Sequence, residues 1–278
     1  MAIITLTTDF GVKDHFAAAV KGAILSQLDE VQIVDISHEV SPFHITEAAY
    51  IIENAYSNFP EGTIHLIGID SELTPETQHL AIKLEGHFFI CADNGLMSLI
   101  TRDIRPEEIV SINIHDRTLT NFTVLDVFVR AACHIARGGT LGVIGKPISS
   151  IKKLRDVMPV INKDQKQIIG TVIYIDNYGN VISNITKKLF DDVGKGRPFK
   201  ITARTATFTK IYKNYSDAIN FDIDPSKRED DGKKLALFNS SNYIELSIYK
   251  SNPKTVGSAS TLFGLEYRDT ITVNFLDS

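Results

Sequence analysis

The first 150 residues alternate short apolar strand patterns with amphipathic helix patterns. The segments IITLTT, VQIVDI and TIHLIGI each predict a buried strand, and Phe16, Val20 and Ile24 recur at helical spacing between the first two. Such alternation is typical of an α/β domain in which helices cover a largely parallel sheet. In these sheets, ligands bind beside the carboxyl ends of the strands. Any functional site of this domain is therefore expected at that edge.

The pattern changes after this region to short strands separated by turns. GTVIYID, KLALFN and YIELSIY are three of these strand segments. We therefore predict an α/β domain over residues 1–156 and an all-β, barrel-like domain over residues 168–278, joined by a linker around residues 157–167. The polar stretch 221–235 predicts a surface loop.

Composition and charge exclude several classes of protein. The chain has 278 residues and a net charge of −5 with scattered basic residues, which argues against a nucleic-acid partner. No apolar run approaches the roughly 20 residues of a membrane helix, and the start of the chain does not resemble a signal peptide. Cys91 and Cys133 are isolated in apolar surroundings, which predicts a reducing, cytoplasmic location. The eight histidines show no metal-binding spacing, so no metal site is expected.

Acidic residues lie at or near the ends of three predicted strands. Asp9 follows IITLTT, Asp70 follows TIHLIGI, and Asp35 lies inside VDISH. Asp9 and Asp70 stand where the edge of a parallel sheet faces ligand. Each acid has a second interpretation, because Asp is a good N-cap and could cap the helix or turn that follows. The residues alone leave both interpretations open.

A turn-rich segment near the start of the second domain is a further candidate. IDNYGNVISNI could present Asp176, Tyr178 and Asn180 to a polar ligand. It could equally be an ordinary β-turn, with Gly179 in a left-handed conformation. The composition of the segment favours the β-turn.

Two more residues have a functional and a structural interpretation. Ser240, in LFNSSNYIEL, could donate a hydrogen bond to a ligand or belong only to a turn. Phe43, next to Pro42, could line a slot for a planar base, or it could be a hydrophobic staple that packs on the following helix. The staple is the default interpretation.

Six segments, in this order, resemble the S-adenosylmethionine hydroxide adenosyltransferases, which are relatives of the fluorinases and chlorinases. The segments are LTTDFG, VDISHEVSPF, ADNGLMS, LDVFVRAACHIARGGTLGVIGKPI, IDNYGNVISNI and FNSSNYIEL. Each alone is weakly specific, but together they span almost the whole chain with family-like spacing. The chain is thereby identified as a member of this family.

The resemblance implies a nucleophilic substitution at the ribose C5′ of S-adenosylmethionine. With water as the nucleophile, the products are adenosine, methionine and a proton. In the family, the acid at the position of Asp9 holds the two ribose hydroxyls, which suits the two oxygens of a carboxylate. Gly11 lets the backbone pass close to the ligand. Asp70 matches the catalytic acid that handles the water.

The resemblance also implies where the rest of the substrate binds. Asp176 and Ser240 would bind the methionine portion, Tyr178 and Asn180 would contact adenine, and Phe43 would pack nearby. The expected assembly is a homotrimer with each site at a subunit interface, between the first domain of one chain and the second domain of its neighbour. S-adenosylmethionine is the substrate, and no cofactor is expected.

The chain departs from the family pattern around the water. The family reads D-P-G-V-G-T-x-R where this chain reads DSELTPETQHLAI, so Asp70 is kept and the Arg is missing, with Gln78 or His79 near its place. The position of the family His is Thr123, while Asp126 remains. These losses favour an alternative, a non-catalytic binding protein for S-adenosylmethionine or adenosine. A third possibility is an enzyme that uses halide, which the charge of Asp70 opposes.

Overall fold

The computed structural model describes residues 1–101, 104–117, 119–154, 158–228 and 232–276. The chain divides into two compact units, the first of which ends at Leu154. The first unit is an α/β structure and the second is a barrel-like sheet, so the predicted fold class is confirmed.

The first unit is organised around one mixed sheet. Its strands are β1 (Ala2–Thr8), β2 (Val31–Ser37), β3 (Ile64–Gly68), β4 (His79–Leu84), β5 (His87–Ala92), β6 (Glu108–Ile112) and β7 (Gly145–Pro147). Its helices are α1 (Phe16–Leu25), α2 (Ile45–Glu53), α3 (Leu96–Thr101), α4 (Val129–Ala136) and α5 (Leu141–Ile144). A π-helical turn, Val124–Phe128, leads into α4.

The order of the strands decides which loops meet. It is β2-β1-β3-β5-β4-β6-β7, and the first four strands are parallel, whereas β4 is antiparallel to both of its neighbours and β7 is antiparallel to β6. Within the parallel part, Thr8 at the end of β1 pairs with Gly68 at the end of β3. The segments that follow β1 and β3 therefore leave the sheet side by side at its carboxyl edge.

Apolar side chains cover both faces of this sheet. Ile4 and Leu6 of β1 belong to a buried cluster that includes residues of α1 and α4. Leu80 and Ile82 of β4 belong to a second cluster, which includes residues of α2 and α3. Burial on both faces explains why the central strands are almost continuously apolar in sequence.

The second unit is a nearly closed, barrel-like sheet. Its strands are β8 (Val160–Ile161), β9 (Gln167–Ile175), β10 (Val181–Thr186), β11 (Phe199–Ala203), β12 (Ala206–Phe208), β13 (Ile211–Tyr212), β14 (Lys234–Phe238), β15 (Tyr243–Ile248) and β16 (Thr270–Phe275), and its helices are α6 (Lys187–Gly194) and α7 (Ala259–Phe263). The order is β12-β11-β16-β9-β10-β15-β14-β13, with β8 beside β9. Over the described ranges, neither unit contains a helix of the length and apolarity that a membrane crossing requires.

A chain of polar side chains runs through the core of the first unit. The Oγ1 atom of Thr5 lies 2.7 Å from Nδ1 of His65, and Nε2 of His65 lies 3.2 Å from Nδ1 of His87. Burial, with a smaller contribution from the neighbouring His87, lowers the pKa of His65 to about 3. His65 is therefore a neutral core residue at pH 7.

We expect this histidine to make the first unit acid-sensitive. Because the pKa of His65 is lower in the folded protein than its unperturbed 6.5, the unfolded chain takes up the proton first. The stability is fully present above pH 6.5 and falls by about 1.4 kcal/mol per pH unit below it, or about 2 kcal/mol by pH 5. Denaturant titrations at pH 7 and pH 5 should therefore show a smaller pH effect in His65→Gln than in the wild type. An identical pH effect in both proteins would contradict this assignment.

Candidate active site

Asp9 lies at the carboxyl edge of the sheet and connects two loops. Its Oδ2 atom accepts a hydrogen bond from the backbone N–H of Phe43 at 2.9 Å. Helix α1 begins at Phe16 with His15 as its N-cap, so Asp9 does not cap that helix. Its half-buried carboxylate is instead fixed against the loop that follows β2.

Asp70 lies on the same edge, two residues after β3, and is exposed. Burial raises the pKa of Asp9, and the negative charge of the nearby Asp70 raises it further. Hydrogen bonds from the backbone at Phe43, Asp9 and Asp70 lower the pKa and partly offset this rise. Two carboxylates thus share one edge of the sheet. Such a site suits hydroxyl groups, water and cations, and it repels anions.

The backbone around Asp70 is held by Asn94, which comes from the motif ADNGLMS after β5. Asn94 is buried, and its Nδ2 atom donates to the carbonyl of Ile69 at 2.9 Å and to that of Asp70 at 3.4 Å. Asp70 has a φ of 42°, in the left-handed region. Asn94 was not among the residues proposed from the sequence. Its position as a small polar residue between a strand and a helix is the sequence signal that could have pointed to it.

His79, one of the two residues considered for the place of the missing Arg, does not supply its charge. Its Nε2 atom is 3.1 Å from the carbonyl oxygen of Ser71, which can only accept, so Nε2 carries a proton. Its Nδ1 atom lies 2.8 Å from Nε2 of His115 and therefore accepts from it when His79 is neutral. Burial, together with His115, lowers the pKa of His79 to about 4. His79 is neutral at pH 7 and supplies no cation near Asp70.

Asp126 and Thr123 lie in the segment that leads into α4. Thr123 directly precedes the π-helical turn. Asp126 is buried, and its Oδ2 atom accepts hydrogen bonds from Leu119 N, Thr120 N and Thr120 Oγ1 at 3.1, 2.6 and 2.8 Å. Burial alone would raise the pKa of Asp126, but these hydrogen bonds and the nearby Arg130 hold it below its usual value. One Asp126 oxygen is thus occupied in holding the loop at residues 119–120.

Phe43 is not a hydrophobic staple. Its side chain is 71% exposed, so it does not bury itself against α2, and the default interpretation is wrong. The cap of α2 is His44, whose Nδ1 atom accepts from the backbone N–H of Glu47 at 3.1 Å. Phe43 has a φ of 61° and presents an exposed aromatic ring one residue from that cap. Its backbone N–H, bonded to Asp9, places it in the candidate site.

The predicted turn at Asp176 is present, and the aspartate organises it. Its Oδ1 atom accepts from the backbone N–H groups of Tyr178 and Asn180, and its Oδ2 atom accepts from Asn180 Nδ2, each at 2.9 Å. Gly179 has a φ of 74°, so its predicted left-handed conformation is confirmed. Tyr178 is 66% exposed, whereas Asn180 is buried. The structure therefore brings these three candidates together.

Ser240 lies in a different turn, between β14 and β15, and is exposed. Val181, beside the Asp176 turn, pairs with Leu246, whereas Tyr243, beside the Ser240 turn, pairs with Thr186. The two turns therefore lie at opposite ends of the β10–β15 pair.

Glu245 of β15 lies between these turns and was not found from the sequence. It is buried, and its Oε1 atom accepts from Tyr215 Oη at 2.7 Å and Ser247 Oγ at 2.6 Å. Burial raises the pKa of Glu245, and so does the negative charge of Asp176. The hydrogen bonds from the two hydroxyl donors lower the pKa and partly offset this rise. A second acid is thus close to Asp176.

Metal ligation finds no support in the part of the chain that the structure describes. No group of three or more His, Cys, Asp or Glu side chains there could hold a metal ion. The His65–His87 and His79–His115 contacts are pairs of buried or half-buried imidazoles.

Comparison with known families gives two matches that cover most of the chain. Residues 4–145 match the SAM hydroxide adenosyltransferase N-terminal domain, and residues 170–272 match the C-terminal domain of the same family. Both units thus have counterparts in one family.

Individual relatives point in the same direction. The chain is 29% identical to a protein of Methanocaldococcus jannaschii named (R)-S-adenosyl-L-methionine hydrolase, over 98% of this chain and 95% of that protein. It is 24% identical to a fluorinase of Nocardia brasiliensis, over 72% of this chain and 76% of that protein. The crystal structure of an uncharacterized conserved protein from Thermotoga maritima matches with a TM-score of 0.80 and 24% identity, covering 98% of this chain and 99% of that one. This last likeness concerns the fold alone.

Proposed function

Because the chain belongs to the SAM hydroxide adenosyltransferase family, we propose that it hydrolyses S-adenosylmethionine to adenosine and methionine. The observation that carries the proposal is the placement of Asp9 and Asp70 on one edge of the sheet, within electrostatic range of each other. One carboxylate binds the nucleoside, and the other handles the water.

The reaction is a substitution in which water attacks the ribose C5′ atom. A C–O bond forms, the C5′–S bond breaks, and its electron pair stays on sulfur, so methionine leaves as a neutral thioether. No acid is needed for this departure. The exposed Asp70 carboxylate orients the water and accepts its proton, which then passes to solvent. The rate depends on holding this water in line with the C5′–S bond.

Substrate binding is divided between the acids and the aromatic rings. Asp9 accepts hydrogen bonds from the ribose hydroxyls, in addition to the one that it accepts from the Phe43 N–H. Asp176 attracts the ammonium group of the methionine portion, and Ser240, which lies at the other end of the β10–β15 pair, is assigned to the carboxylate of that portion by the family resemblance. Tyr178 and Phe43, both exposed, supply rings for adenine, with Asn180 beside Tyr178.

Neither of the described residues His79 and Thr123 supplies a cation next to the water, which predicts slow hydrolysis. His79 is neutral at pH 7, and Thr123 stands where the family has its His. The same feature keeps a non-catalytic binding protein as the second candidate. Halide as nucleophile is disfavoured, because an anion would have to approach Asp9 and Asp70 together.

The direct test is to incubate the purified protein with S-adenosylmethionine and to separate the products by chromatography, with and without chloride or fluoride. We expect adenosine and methionine in equal amounts and no halogenated adenosine. A halogenated nucleoside as the main product would contradict hydrolysis. Tight binding of S-adenosylmethionine without any product would favour the binding protein.

We also propose a homotrimer in which each site is completed by a neighbouring chain. We expect light scattering to give three times the 30.9 kDa of one chain, and S-adenosylmethionine to raise the stability of that oligomer. Either domain expressed alone should not bind the ligand. A monomer with full affinity would contradict the shared site.

Two further expectations belong to the same proposal. The reaction needs no cofactor, since the sulfonium itself provides the leaving group. The buried free thiols of Cys91 and Cys133 support a reducing compartment, the cytoplasm.

A further inference from the structure

His38 is a buried histidine next to β2 that the proposed chemistry does not use. Its ring Nδ1 atom lies 2.7 Å from Oγ1 of Thr8, and its Nε2 atom lies 3.1 Å from Oδ1 of Asp35. The other oxygen of Asp35 lies 2.5 Å from Nζ of Lys21. A continuous row of polar contacts thus runs from the partly exposed Lys21 to Thr8, the residue before Asp9.

The chemistry of the partners assigns the protons in this row. Although burial opposes it, the Lys21 ammonium and the His38 ring hold the pKa of Asp35 below its usual value, so Asp35 is an acceptor. The nearby acceptor at 3.1 Å favours the hydrogen on Nε2 of His38, although the contact is not aligned as a hydrogen bond. With that hydrogen on Nε2, the uncharged form of the ring has a lone pair at Nδ1, and in that form the Thr8 hydroxyl donates to it. Thr8 is held in one orientation by a ring that is itself anchored from the surface.

The backbone of His38 holds the same loop from the other side. The N–H of Gly11 donates to the carbonyl of His38 at 2.7 Å. Gly11 has a φ of 67°, so the chain turns sharply after Asp9. One residue thus contacts the chain before and after Asp9, while the Asp9 carboxylate itself is bonded to Phe43 in the same β2 loop.

We propose that His38 is a positioning residue that sets the position of Asp9 for ribose binding. Its ring holds Thr8 and its carbonyl holds Gly11, so Asp9 enters the site already oriented. This inference rests on the proposed function, because it assigns Asp9 the nucleoside. The expected signature is a loss of substrate affinity with little change in the chemical step, since His38 touches neither water nor the C5′ atom.

The fold offers a matched control for the test. Thr5 and Thr8 are both buried in β1, and the hydroxyl of each lies 2.7 Å from Nδ1 of a buried histidine. The partner of Thr5 is His65, which lies in β3 and whose other ring nitrogen faces His87. Thr5→Val and Thr8→Val therefore each remove a hydroxyl contact with a buried histidine from the same strand. Only Thr8 touches the Asp9 loop, where its hydroxyl also accepts from the Phe10 N–H at 3.4 Å.

We expect both valine variants to lose thermal stability to a similar degree. Only Thr8→Val should raise the KM for S-adenosylmethionine, by about ten-fold, with kcat within about three-fold of the wild type. Thr8→Ser, which keeps the hydroxyl, should restore most of the affinity. Hydrogen exchange of the ligand-free proteins should show faster exchange of the Gly11 and Phe43 amides in Thr8→Val than in Thr5→Val.

Equal KM values in Thr5→Val and Thr8→Val would overturn the proposal and leave His38 as a core residue. Unchanged exchange at Gly11 and Phe43 in Thr8→Val would also overturn it. The exchange comparison needs no substrate, so it decides on His38 even if the wild type neither binds nor cleaves S-adenosylmethionine. That last result would reject the proposed function alone.

Discussion

Asp70→Asn should lower the rate of adenosine formation by about 10²–10⁴-fold, the usual contribution of a positioned general base. The amide has the size of the carboxylate but cannot take the proton of the attacking water. Asp70 is exposed, and none of the described residues donates a hydrogen bond to its carboxylate, so the substitution leaves the surrounding fold unchanged. Following adenosine by chromatography over time, at saturating S-adenosylmethionine, measures the effect.

The control for this variant is Glu72→Gln, which removes a negative charge from the same exposed loop. If the rate depended only on the overall charge of the loop, both variants would lose activity alike. Our assignment requires a large loss in Asp70→Asn alone. Equal rates in Asp70→Asn and the wild type would remove Asp70 from the mechanism.

Asp9→Ala should weaken binding of adenosine and S-adenosylmethionine by about 1.5–3 kcal/mol for each charge-assisted hydrogen bond lost to the ribose. With two hydroxyls, the affinity falls by at least about a hundred-fold. Isothermal titration calorimetry with adenosine measures this directly and does not depend on turnover.

Asp9→Ala removes the hydrogen bond with Phe43 as well as those with the ribose, so a control variant must remove a comparable hydrogen bond within the protein alone. Glu107 provides the comparison, because its Oε1 atom also accepts a backbone N–H at 2.9 Å, from Gly86, which lies at the opposite edge of the sheet before β5. Glu107→Ala should cost stability without changing the affinity for adenosine. Unchanged affinity in Asp9→Ala would reduce Asp9 to a residue that only joins two loops.

The electrostatics of Asp9 also decide how binding responds to pH. Burial and the nearby Asp70 raise the pKa of Asp9, and only the ionised form offers both oxygens to hydroxyl donors. Affinity for the nucleoside therefore begins to fall at a higher pH than it would for an ordinary aspartate. Asp9→Asn, which cannot titrate, provides the reference curve.

Much of the architecture was readable from local patterns. The apolar runs of β1 and β3 predicted strands buried on both faces, because a side chain's own hydrophobicity decides whether water is excluded from it. The left-handed conformation of Gly179 was also readable locally, because a residue without a Cβ has little steric cost in that conformation. Asp9 and Asp70 could be placed at the carboxyl edge from the strand that each one follows.

Element boundaries were less well determined. The apolar spacing of Ile45 to Tyr56 predicts one helix, but α2 ends at Glu53, and a separate 3-10 turn follows at Tyr56–Asn58. The C-cap residue Asn54 donates both its side-chain amide and its backbone N–H to the carbonyl of Tyr50, at 2.7 and 3.2 Å. Whether a side chain or the next backbone N–H bonds to a helix carbonyl depends on local geometry, which the hydrophobic periodicity of the sequence does not report.

The sequence by itself determined the two kinds of fold, the strand-end acids and the family. Only the tertiary structure decided the partners of those acids. Asp9 bonds to Phe43, 34 residues away, and His79 contacts His115, 36 residues away. Thr8 reaches His38 only because β2 lies beside β1 in the strand order. The physical reason is that hydrophobic periodicity reports which side of an element is buried, whereas a hydrogen bond between loops depends on which strands are neighbours and in what register.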